Sequence, residues 1–171
     1  CSGLTGSLTI PDSVETIGEY AFGSCTGFTG SLVLGNGVTT IAKRAFNDCA
    51  GFTGALVIPD NFTGRIGSYA FGQCTDFDSL TLGNGVSIIG GRAFNGCTGL
   101  TGSLTIPDSV LTIEDNAFRD CTGLNGSLTI GNGVSGIGVE AFRDCSGLTG
   151  ALTIPNSVTT NIGSRAFRDC S

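Results

Sequence analysis

The chain repeats itself every two dozen residues. The stretch from Cys97 to Phe118, CTGLTGSLTIPDSVLTIEDNAF, recurs with small edits from Cys1, Cys25, Cys49, Cys74, Cys97, Cys121 and Cys145. An eighth copy opens at Cys170 and stops at Ser171. The spacings are 24, 24, 25, 23, 24, 24 and 25 residues. A fixed period of this length marks a solenoid, in which one unit cannot bury its own apolar face and stacking supplies the core.

Within the first unit, Leu8 and Ile10 alternate with Ser7 and Thr9, as a half-buried strand does. Pro11, Asp12 and Ser13 form a turn, with Pro setting φ and Asp bonding local backbone. Residues 15–17 can form a second, very short extended piece. Ile17, Ala21, Phe22 and Cys25 then fall at i, i+4, i+5 and i+8, which predicts one or two α-helical or 3₁₀ turns. Cys1, Leu4, Leu8, Ile10, Val14, Ile17, Ala21 and Phe22 are the inward positions. In every unit the Phe22 position is Phe, so Phe22, Phe46, Phe71, Phe94, Phe118, Phe142 and Phe167 should stack into a spine.

The period is strictly two units. Pro11, Pro59, Pro107 and Pro155 occupy odd units, and Gly-Asn-Gly at 35–37, 83–85 and 131–133 replaces the Pro turn in even ones. The exchange keeps the turn, so an undisturbed coil path is expected. Single-residue edits in units three, four and seven fall in connections.

Composition narrows function more than it names it. With 8 Lys and Arg against 14 Asp and Glu the net charge is −6, which excludes the basic footprint that nucleic acid requires. No apolar run is long enough to insert into a membrane. Catalysis has little to work with: there is no His, Lys43 is the one lysine, and the carboxylates form no cluster with perturbing neighbours. No catalytic residue, cofactor or metal site is expected. Asp12, Asp60 and Asp108 share a column, but turn chemistry explains it more simply than a cation needing six converging oxygens. The 8 Cys also share one column, where parallel Cβ vectors favour a buried thiol ladder over disulfides.

Two surfaces remain as candidates. On the strand face, Ser7, Thr9, Ser31, Ser79, Thr81, Ser103, Thr105, Ser127, Thr129 and Thr153 form an outward hydroxyl grid, interrupted by Ala55, Ala151, Val33 and Val57. On the side expected to be helical, Tyr20, Arg44, Tyr69 and Arg92 share a column and offer hot-spot residue types. Arg119-Asp120, Arg143-Asp144 and Arg168-Asp169 stand beside it as a solvated charged face.

The combination Leu104-Thr105-Ile106-Pro107, Val110, Ile113, Ala117-Phe118 and Cys121, matched along all seven units with Gly replacing the Pro in even ones, resembles the BspA-like, Treponema-type leucine-rich repeat. The resemblance implies an α/β repeat solenoid: a right-handed leucine-rich-repeat superhelix of seven coils with parallel short strands and short helical or 3₁₀ turns. It also implies an extracellular or cell-surface module for adhesion or protein–protein contact. A single array spans 1–171, read as an excerpt of a longer chain because it opens and closes at the same point of the repeat. Partners are then a protein or glycan ligand on a surface, or copies of the chain stacked end to end. Two alternatives accompany this reading: a filament or sheath built from uncapped solenoids, and ice or carbohydrate binding on the hydroxyl grid.

Overall fold

The computed structural model describes residues 3–170; Cys1, which opens the first unit and the cysteine column, lies outside them with Ser2 and Ser171. Each unit forms one coil of a β-solenoid, and seven coils stack. In chain order the strands are β1 (Gly6–Ile10), β2 (Thr16–Ile17), β3 (Phe28–Leu34), β4 (Thr40–Ile41), β5 (Gly54–Val57), β6 (Gly64–Ile66) and β7 (Phe77–Thr81). They continue with β8 (Val86–Ile89), β9 (Leu104–Ile106), β10 (Thr112–Ile113), β11 (Leu128–Ile130), β12 (Gly136–Ile137) and β13 (Asn161–Ile162). Their pairings are parallel and join adjacent coils in repeat register, for example Thr105 to Thr129 and Ile113 to Ile137.

The continuous sheet lies on the short strands, not the long ones. Strands β2, β4, β6, β8, β10, β12 and β13 form one seven-stranded ladder. The longer strands pair only two by two, as β1 with β3, β5 with β7 and β9 with β11. In the seventh coil, 151–154 is not a strand.

The Pro/Gly alternation explains the difference. In the Pro coils the glycine opening the long strand takes positive φ: 78° at Gly6, 78° at Gly54 and 77° at Gly102. Gly30 and Gly126, their counterparts in even coils, do not. A register shift accompanies this bend in β1 and β5. Each Gly-Asn-Gly turn then docks onto the Pro turn of the coil before it. A Cβ on Gly37 would run into the Asp12 carbonyl oxygen, and one on Gly133 into that of Asp108. The exchange therefore does alter the coil path, contrary to the expectation from sequence. The two turns are complementary halves of a joint, and the structural unit is a pair of coils. The short strands see no such alternation and pair at every junction, with a register shift only between β6 and β8, where the third coil carries its extra residue.

The stretch expected to be helical is a run of turns, and no helix occurs among the described residues. Alternate amides bond locally, from Ala21 to the Gly18 carbonyl and from Gly23 to Tyr20. The amides between them reach the next coil, from Tyr20 to Lys43, Phe22 to Ala45 and Ser24 to Asn47. A helix is broken because Tyr20 and Ser24 sit at φ 55° and 56°, and their counterparts in each coil are likewise left-handed. With the Cys25 amide on the Phe22 carbonyl, all six amides of 20–25 are satisfied while the coils stack, which a short helix would leave to side chains alone.

The core runs the length of the stack. Phe46, Phe71, Phe94, Phe118 and Phe142 are fully buried. Rings of the whole Phe22-to-Phe167 column stack at centroid separations of 5.2–5.5 Å. Each buried ring stabilises the fold by about 1.5–3 kcal/mol. A second stack, Phe28, Phe52 and Phe77, stands edge-on to the first in the early coils, where later ones carry Leu100 and Leu124. Leu4, expected to point inward, is 53% exposed in the first coil, although Leu100 in its column is buried.

Candidate functional site

The strand face carries the hydroxyl grid where the sequence placed it. Ser7, Thr9, Ser31, Thr81, Ser103, Thr105, Ser127, Thr129 and Thr153 are exposed, and Ser79 is half-buried. Within a coil pair the hydroxyls knit together: Ser31 Oγ donates to Ser7 Oγ at 3.3 Å, and Ser127 Oγ to Ser103 Oγ at 3.2 Å. The grid is not a uniform lattice, because the long strands separate after every second coil. Val33 and Val57 face solvent across the first such separation, at 47% and 48% exposure.

Those separations are grooves. The first, between coils two and three, is an open cleft of about 770 Å³ lined by Val33, Leu34, Asn36, Val57, Pro59 and Asp60. The second, about 540 Å³, opens between coils four and five with the matching residues Thr81, Leu82, Asn84, Thr105, Pro107 and Asp108, and runs on over coil six to Thr129 and Asn132. The third, between coils six and seven, has about 280 Å³ and Thr129, Ile130, Asn132, Thr153 and Pro155. Sequence reasoning missed these grooves, although the two-unit period was their signal.

The Asp column is occupied by the joint itself. Asp12 Oδ1 accepts the Asn36 backbone N–H at 2.6 Å, Asp60 Oδ1 that of Asn84 at 3.0 Å, and Asp108 Oδ1 that of Asn132 at 2.6 Å. These carboxylates tie the even turn to the odd one. No group of three potential metal-ligating side chains occurs among the described residues.

On the turn side the structure brings Tyr20, Arg44, Tyr69 and Arg92 into one ladder. Arg44 lies 5.5 Å from the Tyr20 ring centre and 4.8 Å from that of Tyr69, and Arg92 lies 5.4 Å from Tyr69. Arg44 also donates to the Tyr20 hydroxyl at 2.9 Å, and that bond raises the guanidinium pKa further. The column continues to Glu140, which accepts from Arg119 at 2.9 Å and Arg143 at 3.0 Å, with Arg165 at 3.4 Å. Desolvation alone would push Glu140 up, but bonds from Arg143 and Arg165 and the charges of Arg143 and Arg119 hold it below its usual value. Each Arg of the Arg-Asp column pairs with its own neighbour, at 3.4 Å for Arg119–Asp120 and 3.1 Å for Arg143–Asp144 and Arg168–Asp169. These groups are committed to one another, so the ladder is a structural stack with one open flank.

The described cysteines are free, and all but the half-buried Cys170 are buried. From Cys49 on, each thiol donates to the carbonyl of the Phe one coil earlier, as Cys49 to Phe22 at 2.9 Å, Cys97 to Phe71 at 3.1 Å and Cys145 to Phe118 at 3.1 Å. Burial pushes Cys49 up to about 11 and Cys97 well above its ordinary value, so these thiols stay protonated. They are core, not nucleophiles.

The family model for the BspA type leucine rich repeat region matches in 6 copies, over residues 1–125 and 53–171, and so spans the whole chain. The chain belongs to the BspA-type leucine-rich repeat family. No curated protein matches the sequence significantly. Among solved structures, this BspA-type array is similar to a leucine-rich repeat protein from Eubacterium ventriosum, with 30% identity and a TM-score of 0.81. That match covers 98% of this chain and 43% of the other, so the chain spans less than half of that relative. A Bacteroides ovatus leucine-rich repeat protein matches at 23% identity and a TM-score of 0.64, over 92% of this chain and 45% of that one. The T. pallidum leucine-rich repeat protein matches at 20% identity and 0.63, over 84% and 78%. The last two likenesses concern the fold alone.

Proposed function

We propose that this array is a non-enzymatic recognition module, displayed extracellularly or on a cell surface, that adheres by binding a protein partner on its strand face. The observation that carries the reading is the repeated row of open grooves, lined by apolar and hydroxyl side chains with Asp60 and Asp108 at the rims. Membership of the leucine-rich repeat family supports protein–protein contact, and the resemblance to BspA-like surface proteins supports display outside the cell. A protein partner is favoured over a glycan because the face holds no aromatic plane on which a sugar could stack. It is favoured over ice because grooves and the exposed Val33 and Val57 break the hydroxyl lattice. The test is adhesion of beads coated with the chain to cultured cell monolayers, before and after the cells are shaved with protease. Attachment above albumin-coated beads, lost on shaving and reduced by Thr105→Lys with Thr129→Lys, is expected. Attachment no better than albumin, or unaffected by protease, overturns the reading.

A further inference from the structure

The long strands part where one coil pair meets the next, so the grooves that open there are spaced by two coils. A strand step is about 4.8 Å, and the ring separations of 5.2–5.5 Å in the Phe column bound the step from above. Successive grooves therefore stand about 10 Å apart along the stack. A ligand that uses more than one groove must present the same group at that interval.

We propose that the three grooves bind one extended peptide in the polyproline II conformation, lying along the stack with a small apolar residue at every third position. Polyproline II has three residues per turn and rises about 3.1 Å per residue, so every third side chain returns to the same face after about 9.3 Å. Over two groove intervals the mismatch is about an ångström, which shallow open clefts tolerate. A β-strand returns its side chains every two residues, about 6.8 Å, and misses the grooves. An α-helix returns a side chain to one face every seven residues, about 10.5 Å, but its carbonyls are bonded within the helix and leave nothing for hydroxyls on the groove walls to meet.

The chemistry of the walls agrees. Leu34 and Pro59, and Leu82 and Pro107, give each groove a small apolar floor suited to Pro or Val. Thr81, Thr105 and Thr129 stand on the walls as hydroxyl donors. A polyproline II backbone has no internal hydrogen bonds, so its carbonyls are free to accept from them. Asp60 and Asp108 at the rims accept the Asn84 and Asn132 amides and keep their negative charge, with no cationic side chain on the walls, which disfavours an acidic peptide. With no aromatic side chain on this face, each groove holds weakly, and binding depends on filling several at once.

This inference rests on the protein-binding reading of the same face and is tested apart from it. Fluorescein-labelled synthetic peptides of about ten residues, with Pro at every third position and Ser or Thr between, are titrated by fluorescence anisotropy against the full chain. The expected result is at least ~10-fold tighter binding than a scrambled peptide of identical composition or one reaching a single groove. Thr105→Lys, in the middle groove, should reduce the periodic peptide to the level of the short one. Equal binding of the scrambled peptide, no detectable binding, or indifference to Thr105→Lys overturns the inference. If the peptides fail while coated beads still adhere through a protein, only the peptide inference falls; if adhesion also fails, the recognition reading falls with it.

Discussion

Replacing Gly133 by Ala tests whether the coils are locked in pairs. Gly133 is not in the left-handed region, so its backbone accepts Ala without conformational strain. The added Cβ would collide with the Asp108 carbonyl oxygen and come within 3.1 Å of the Val110 carbonyl oxygen. Both obstacles are backbone, which cannot swing aside as a side chain would. Overpacking of this kind costs about 1–3 kcal/mol. Lifting the even turn to relieve it also breaks the 2.6 Å bond from the Asn132 amide to Asp108, worth about 1 kcal/mol at an exposed site. The lower unfolded-state entropy of Ala returns about 0.4–1 kcal/mol. A net loss of about 2–3 kcal/mol remains, which for a chain of this size lowers Tm by roughly 5–10 °C. Thermal melts followed by circular dichroism measure it, with Gly18→Ala as control because its Cβ meets nothing within 4 Å. A Gly133→Ala chain as stable as the Gly18→Ala control would refute the docked-turn explanation of the two-unit period.

Three further outcomes are expected. Phe118→Ala removes a fully buried ring stacked at 5.2 and 5.3 Å on its neighbours; it should cost about 3–5 kcal/mol by urea titration, and the half-buried Phe22→Ala should cost less. Above about pH 9 the unfolded thiols ionise while Cys49, pushed up to about 11 by burial, does not. Because its folded value is raised, the stability it lends is complete below pH 9 and is lost as pH climbs towards 11, so the urea midpoint should fall over that window. Glu140→Gln removes the charge shared by Arg119, Arg143 and Arg165: it should lower Tm at neutral pH, and the difference should vanish as acid protonates the native Glu140, whose folded value is depressed.

Much of this was legible from the repeat. Spacing alone placed Phe94 over Phe118 and Thr105 beside Thr129, because in a solenoid register is the period. The Tyr20, Arg44, Tyr69 and Arg92 column was legible for the same reason, although nothing in the sequence fixed the rings and guanidiniums face to face. The turn run was misjudged because Ile17, Ala21, Phe22 and Cys25 have helical spacing, and periodicity does not report the sign of φ. A signal was present: Asp48, Gly96, Asp120, Asp144 and Asp169 all precede a Cys, and Asp, Asn and Gly tolerate the left-handed region best. The grooves escaped notice for a subtler reason. Pro-Asp and Gly-Asn-Gly are each ordinary turns, and only their stacked contact shows that one is shaped to receive the other.

Interstrand backbone contacts in solution test the paired-coil architecture most directly. Nuclear Overhauser effects between backbone protons should join Thr105 to Thr129 and Val57 to Thr81, the registered partners within coil pairs. They should be absent or much weaker between Thr81 and Thr105, across the second groove. Equal intensities at every junction would contradict the account, leaving a uniform solenoid without grooves.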